Sequence, residues 1–172
     1  MVNDALRSLL WRQFGAAIDM LENAITACPD DVWGDRTRNP EYWYTVFHVL
    51  FWLDYYLSGS PGDFRPPAPY GLEEMDPAGV LPPRVYTKDE MLTYLAFDRE
   101  KCRAVIAGLD DAAAGRMQPF PRGEATYLEI LLYNMRHVQH HAGQLNLILR
   151  QSVNDAPRWV GLTKHPGPGV PS

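Results

Sequence analysis

The sequence predicts an all-α fold, a four-helix bundle with a long proline-rich crossover between its second and third helices. Three observations predict it: apolar residues recur at helical spacing in four long segments, two threonine capping boxes mark helix starts, and prolines crowd one stretch between the second and third segments. The chain shows no convincing strand alternation and no internal repeat.

The first helix spans about 4–27. Asn3-Asp4 supplies the cap, and Leu6, Leu9, Leu10, Phe14, Ala17, Ile18, Leu21 and Ile25 share one face. Cys28-Pro29 ends it, because proline cannot continue the hydrogen-bond ladder and restricts the residue before it. A turn-rich connection through Gly34 and Arg38 leads to Asn39-Pro40, with asparagine placed as the cap and proline at the first helical position. The second helix runs to about Leu57 and is apolar nearly all round, which predicts burial on more than one side, in the bundle and against a partner chain. Ser58-Gly59-Ser60-Pro61-Gly62 closes it.

Residues 58–86 carry Pro61, Pro66, Pro67, Pro69, Pro77, Pro82 and Pro83, so no regular element is expected there. In a bundle such a crossover lets the next helix run parallel to the previous one. Thr87-Lys-Asp-Glu90 is a capping box opening the third helix, which extends to about Leu109 with Met91, Leu92, Leu95, Cys102, Val105, Ile106 and Leu109 on its apolar face. Residues 110–123 read as an irregular connector. Thr126-Tyr-Leu-Glu129 is the second capping box, within a fourth helix placed at about 124–151. From Ser152 on, Pro157, Pro166, Pro168 and Pro171 predict an extended tail, frayed at its end, with Trp159 and Val160 packing back on the bundle. One domain of residues 1–172 is expected, with a core of about 4–151 and a tail of 152–172.

Composition excludes several function classes. A net charge of -5, with arginines scattered among acids, leaves no footprint for nucleic acid or an anionic membrane surface. The most apolar segment, Tyr42 to Leu57, is interrupted by His48 and Asp54 and is too short to span a bilayer comfortably. The opening residues show no signal pattern, so a cytoplasmic location is expected. Cys28 and Cys102 lack metal or redox spacing and read as buried free thiols.

Chemistry concentrates in His137-Val-Gln-His140-His141-Ala-Gly-Gln144. On a helix, His137 and His141 lie about 40° apart and one turn separated, so both imidazoles can face one ion. His48 stands alone among Phe47, Val49, Leu50 and Phe51, where a buried imidazole left without a partner costs about 1–3 kcal/mol. A divalent metal shared by His48, His137 and His141 meets both conditions, and three imidazoles with an open position form a catalytic type of zinc site. Nickel, iron, copper or manganese would accept the same ligands. The alternative is a metal-free seam in which these histidines bond Tyr, Asn or backbone groups across the helices. His140 is the harder assignment, either a substitute ligand or a residue beside the site or an interface. His165, in the tail, is expected to be solvated. Helical arithmetic places Tyr44, Trp52 and Tyr55 on the His48 side and Tyr133, Asn134, Gln144 and Leu145 on the other, an aromatic-walled pocket for a small molecule. Glu41 shares the His48 face but stands too far along the axis to ligate the same ion.

The stretch from His137 to Arg150 closely resembles the last-helix signature of the DinB-like family, with His137, His141, Gly143 and Gln144 matching. An upstream histidine within an apolar aromatic helix matches His48. The resemblance implies a four-helix bundle with a metal on three histidines, zinc or nickel first and iron or manganese next, often as a homodimer. It also implies relatives that are thiol-dependent transferases and isomerases, and hence a small-molecule ligand or thiol as partner. The reading that follows is a metal-dependent enzyme in which Tyr133, His140 and Gln144 orient groups at the ion. A non-enzymatic metal- or small-molecule-binding bundle and a metal-free structural dimer are the alternatives. Close helix packing beside the site is the reason expected for Gly143, since glycine inside a helix costs about 1 kcal/mol.

Overall fold

The computed structural model describes residues 1–59, 61–120 and 123–167. Ser60 at the close of the second predicted helix, and Pro168 and Pro171 in the tail, lie outside the described residues. Within them the chain is mostly helical, with one small sheet. The helices are α1 (Asp4–Ala27), α2 (Asp30–Trp33), α3 (Tyr42–Ser58), α4 (Lys88–Ala107), α5 (Asp111–Gly115) and α6 (Tyr127–Val153). Strands β1 (Met117–Phe120) and β2 (Gly123–Thr126) form an antiparallel hairpin in which Met117 pairs with Thr126.

The caps place the long helices as their sequences require. Asn3 accepts a hydrogen bond from the Leu6 amide at 2.9 Å, and both threonine capping boxes form, at Thr87 with Glu90 and at Thr126 with Glu129. α1 and α3 each pack against both α4 and α6. The shared core includes Trp11, Phe14, Ile18 and Leu21 from α1 and Phe47, Leu50 and Phe51 from α3.

Several expectations need correction. α3 begins at Tyr42 with Glu41 as its cap, two residues beyond the expected Pro40. Glu41 makes no side-chain cap, because its carboxylate accepts from the Trp43 indole at 2.6 Å and pairs with Arg36 at 2.7 Å. The connector at 110–123 holds α5 and β1, and β2 occupies 123–126, where the fourth helix was expected to begin. These elements are four or five residues long, and β1 contains Pro119, so neither displays the alternation by which a strand is read. Leu9 is exposed rather than on the buried face of α1.

The burial of α3 is met inside the chain. Residues between α3 and α4 include two single turns of 3-10 helix, Pro61–Asp63 and Glu73–Met75, where no regular element was expected. Phe64 from this connection meets Phe51 edge-on at 5.3 Å, and Tyr86 packs against Phe47 at 5.2 Å. Tyr70 stacks on Tyr94 of α4 with ring centroids 4.4 Å apart, and its hydroxyl donates to the Glu90 carbonyl. The Trp33 indole of α2 donates to the Tyr86 carbonyl at 3.0 Å. An aromatic lining thus ties the connection to the helices it crosses.

The tail docks on α1. The Thr163 hydroxyl donates to Asp19 at 2.7 Å, the Thr163 amide donates to the Arg12 carbonyl, and the Trp11 indole donates to the His165 carbonyl. Gly15 makes this approach possible, because a Cβ there would lie 2.8 Å from the Thr163 side chain. Val160 packs against the core as expected, but Trp159 is 71% exposed. His165, expected in solvent, is partly buried with Nε2 3.5 Å from Asp19. Cys28 and Cys102 are buried free thiols, as the spacing predicts, and burial pushes the Cys28 thiol up to about 12.

One polar group sits in the core at a cost. Asp98 of α4 is fully buried, and neither carboxylate oxygen has a hydrogen-bond partner among the described residues. Its neighbour Asp54 accepts from the Tyr94 hydroxyl at 3.0 Å and pairs with Lys101. Burial first, and the Asp54 charge second, raise Asp98 well above the usual carboxylate range. The folded chain then holds a proton that the unfolded chain releases, so the contribution of this group to stability falls as pH rises above about 4. Asp98→Asn removes that dependence. In urea denaturation the variant is expected to match the parent near pH 4 and to exceed it by roughly 1–3 kcal/mol at pH 8. Parallel pH profiles for the two proteins would show the carboxylate to be ionised and compensated.

Candidate metal centre

Three imidazoles converge where α3 meets α6. His48 comes from the middle of α3, and His137 and His141 from successive turns of α6. Ring centroids are 5.2 Å apart for His48 and His137, 4.9 Å for His48 and His141, and 4.5 Å for His137 and His141. One nitrogen from each lies within 4.8 Å of the others.

Hydrogen bonds fix which nitrogens face inward. His48 Nδ1 is 2.7 Å from Glu74 Oε2, and a carboxylate only accepts, so Nδ1 carries the proton and Nε2 offers its lone pair. His141 Nδ1 is 2.7 Å from the Gln144 amide oxygen, which by the same logic leaves Nε2 free. His48 Nε2 and His137 Nε2 stand 3.3 Å apart. Two nitrogens bound tetrahedrally at about 2.0–2.1 Å to one ion would be separated by about 3.3 Å, so this pair already has ligand spacing. A hydrogen bond could join those two rings alone, but it would leave the third without a role. The residues fit a bound cation.

Electrostatics favours neutral ligands. Burial, with the neighbouring His141 and His48, pushes His137 down to about 3, and burial with His48 pushes His141 down to about 4. Neither ring has to shed a proton at neutral pH before it can ligate. His137 Nδ1 is buried without a partner among the described residues, so within them this ring lacks the outer hydrogen bond that the other two possess.

Glu74 is the functional residue that sequence reasoning misses. It lies on the 3-10 turn Glu73–Met75, far from either histidine helix in sequence, and its side chain is only 4% exposed. Burial works to raise its carboxyl, but bonds from His48, Tyr44 and Trp52 outweigh that and hold it below the usual range. The Trp52 indole donates to Glu74 Oε2 at 2.8 Å. The sequence held one signal, that a histidine so placed in α3 needs a partner. Nothing in a proline-rich connection identified which.

The other predicted pocket residues divide. Tyr44 and Gln144 line a cavity of about 240 Å³ with Pro40, Thr45, His48 and His141. Tyr133 stacks on His137 at 6.4 Å and, with His140, lines a second cavity of about 470 Å³. Trp52 stands behind His48 and Glu74, and Tyr55 packs on Trp52 and Phe64 rather than on either cavity. Asn134 is buried and donates to the Leu53 carbonyl, Leu145 is buried in the core, and His140 is exposed with its ring 5.0 Å from His141. Gly143 contradicts its expected reason: a Cβ there would meet nothing within 4 Å, and the structure gives no packing cause for glycine.

Beyond the three histidines, the sequence model of the DinB superfamily matches residues 13–145, which includes all three. The chain belongs to the DinB superfamily. No curated protein matches it. Membership agrees with the resemblance carried by the last helix. The DinB match runs from the middle of α1 through α3 and α4 into α6, so it rests on far more than one motif. No helix among the described residues is long and apolar enough to cross a membrane. A second group, Asp19, Glu22 and His165, also stands close enough to hold an ion, but Arg99 already lies 3.1 Å from Asp19 and 3.0 Å from Glu22. That guanidinium fills the place of a cation.

Removing the carboxylate while keeping the size of the side chain isolates the contribution of Glu74. Glu74→Gln is expected to weaken zinc binding about 10- to 100-fold in chelator competition, because His48 loses a charged acceptor for its Nδ1 proton. Unchanged affinity would mean that Glu74 orients nothing at the site.

Proposed function

We propose that this DinB superfamily member is a metal-dependent enzyme acting on a small molecule, a transferase or isomerase of the thiol-dependent kind, built on a four-helix bundle with a long proline-rich crossover. The observation that carries the reading is the convergence of His48, His137 and His141, with two Nε2 atoms at 3.3 Å and two rings oriented through Nδ1. Zinc or nickel suits three neutral imidazoles best, with iron or manganese next. A divalent ion there would supply Lewis-acid chemistry, favouring the thiolate form of a small thiol at neutral pH.

The chain's own residues would do the rest. Glu74 holds the His48 Nδ1 proton, and the Gln144 carbonyl holds that of His141, so both rings keep one tautomer. Two cavities that touch the cluster give room for two reactants, one against Tyr44 and Thr45 beside His48 and His141 and the other against Tyr133 and His140 beside His137. Three protein ligands leave a coordination position for the reacting group, which distinguishes a catalytic site from a closed structural one.

A second reading has its own support in the same 3.3 Å contact. If His137 Nε2 carries a proton, it donates to His48 Nε2, and the pair becomes a metal-free link between α3 and α6. Elemental analysis of the untagged protein separates the two. One equivalent of metal is expected, lost in His48→Ala and in His137→Ala, with thiol transfer to a small electrophile abolished by chelation and restored by the ion. Wild-type protein that takes up no zinc, nickel or manganese would leave the metal-free link.

A further inference from the structure

A cavity of about 370 Å³ lies where the connection between α3 and α4 crosses the first turns of α4, and no histidine lines it. Its walls come from two segments distant in sequence, with Pro67, Pro69 and Tyr70 of the connection on one side and Tyr94 and Phe97 of α4 on the other. The Tyr70 and Tyr94 rings stack with centroids 4.4 Å apart and an interplanar angle of 10°, and the Phe97 ring stands 6.4 Å from that of Tyr94. Tyr70 is held twice, by this stack and by the bond from its hydroxyl to the Glu90 carbonyl at 2.7 Å. The step of rings is therefore formed in the free protein, as the wall of a small-molecule site usually is. Phe97 remains 46% exposed, apolar surface that an occupant of the cavity would cover.

Charge narrows the class of occupant. The two charged residues that line the cavity are both acids, Asp89 and Glu90, and no lysine or arginine lines it. The Glu90 carboxylate is taken by Arg84 and by the Thr87 amide of the capping box, and Lys88 pairs with Asp30 rather than with its neighbour. The Asp89 carboxylate is left for a ligand.

We infer that this cavity is a second ligand site, for a small protonated amine carried on a flat aromatic ring. The inference stands apart from the metal reading, since the residues that carry it belong to a different part of the molecule. Prolines and stacked tyrosines offer flat apolar walls to a planar ring. The faces of Tyr70, Tyr94 and Phe97 attract a cation through their π electrons, and Asp89 adds the attraction of opposite charge. An anion of the same shape would meet Asp89 with no basic residue in the wall to offset it.

The test follows the backbone amide signals of isotope-labelled full-length protein during titration with tryptamine and with indole-3-propionate, which share the indole ring and differ in the sign of the charge. Tryptamine is expected to bind about three- to tenfold more tightly, with its shifts centred on Tyr70 and on Thr93 to Phe97. Asp89→Asn is expected to weaken tryptamine about threefold and to leave indole-3-propionate no weaker. Thr93 and Phe97 are exposed on α4, so both can be changed without opening the core. Thr93→Trp fills the cavity and is expected to abolish binding of both compounds, and Phe97→Ala to weaken tryptamine about threefold or more. Equal affinities of the two compounds in the wild type, or a tryptamine affinity that Asp89→Asn leaves unchanged, overturns the cationic class. Tryptamine binding that survives Thr93→Trp, shifts centred on the histidine cluster, or no binding at millimolar tryptamine overturns the site itself.

Discussion

The hydrogen bond between His48 and Glu74 is the contact on which the arrangement of the site depends. α3 is buried along most of its length, and an imidazole in the middle of such a helix would be costly without an acceptor. The acceptor comes from the connection between α3 and α4, which must therefore cross the helix at one height and hold a nearly buried carboxylate there. Phe64, Tyr70 and Tyr86 supply the apolar contacts that keep it in place, and Tyr44 and Trp52 share the carboxylate with His48. Packing and polarity agree at this point: the aromatic residues that bury the connection also deliver the charge that fixes the tautomer of His48.

Three rings are oriented in three ways. His48 is held by a carboxylate, His141 by the amide of a residue one turn along its own helix, and His137 by packing against Tyr133 with Nδ1 left unpaired. A carboxylate makes an imidazole a stronger donor to an ion than an amide does. The site is therefore graded, with its firmest support coming from the connection and its least at His137 of α6, which lines the larger cavity.

Much of this was legible in residues that act locally. Caps at Asn3 and Thr87 and the stop at Cys28-Pro29 located helix ends because each works within a few residues of its own position, whereas the Thr126 box opens a helix that begins at Tyr127, beyond the expected start at about 124. His137 and His141 were readable as a pair because helical geometry alone sets their relation, and His48 stood out because its surroundings were apolar. What was hidden depends on contacts between distant segments. Glu74 has no periodicity to mark it, and the role of Glu41 is decided by Arg36 and Trp43 rather than by its helix position. Tyr55 has the helical spacing of a pocket residue, yet Phe64 from the connection covers it. Gly143 shows the opposite error, a residue whose type suggested close packing where the structure leaves space.

The docked tail has a consequence for the order in which the chain becomes itself. Asp19 is buried near the start of the chain; Arg99 of α4 pairs with one of its oxygens, and the hydroxyl that donates to the other belongs to a residue 144 positions later. Gly15 leaves a notch in α1 into which Thr163 fits. During synthesis α1 can coil and collapse against α3, α4 and α6 as they emerge, but its outer seam stays open until residues near 163 have left the ribosome. A residue 144 positions away closes the seam of α1, so a nascent chain halted before Thr163 would hold all three histidines and still lack the hydroxyl that meets Asp19.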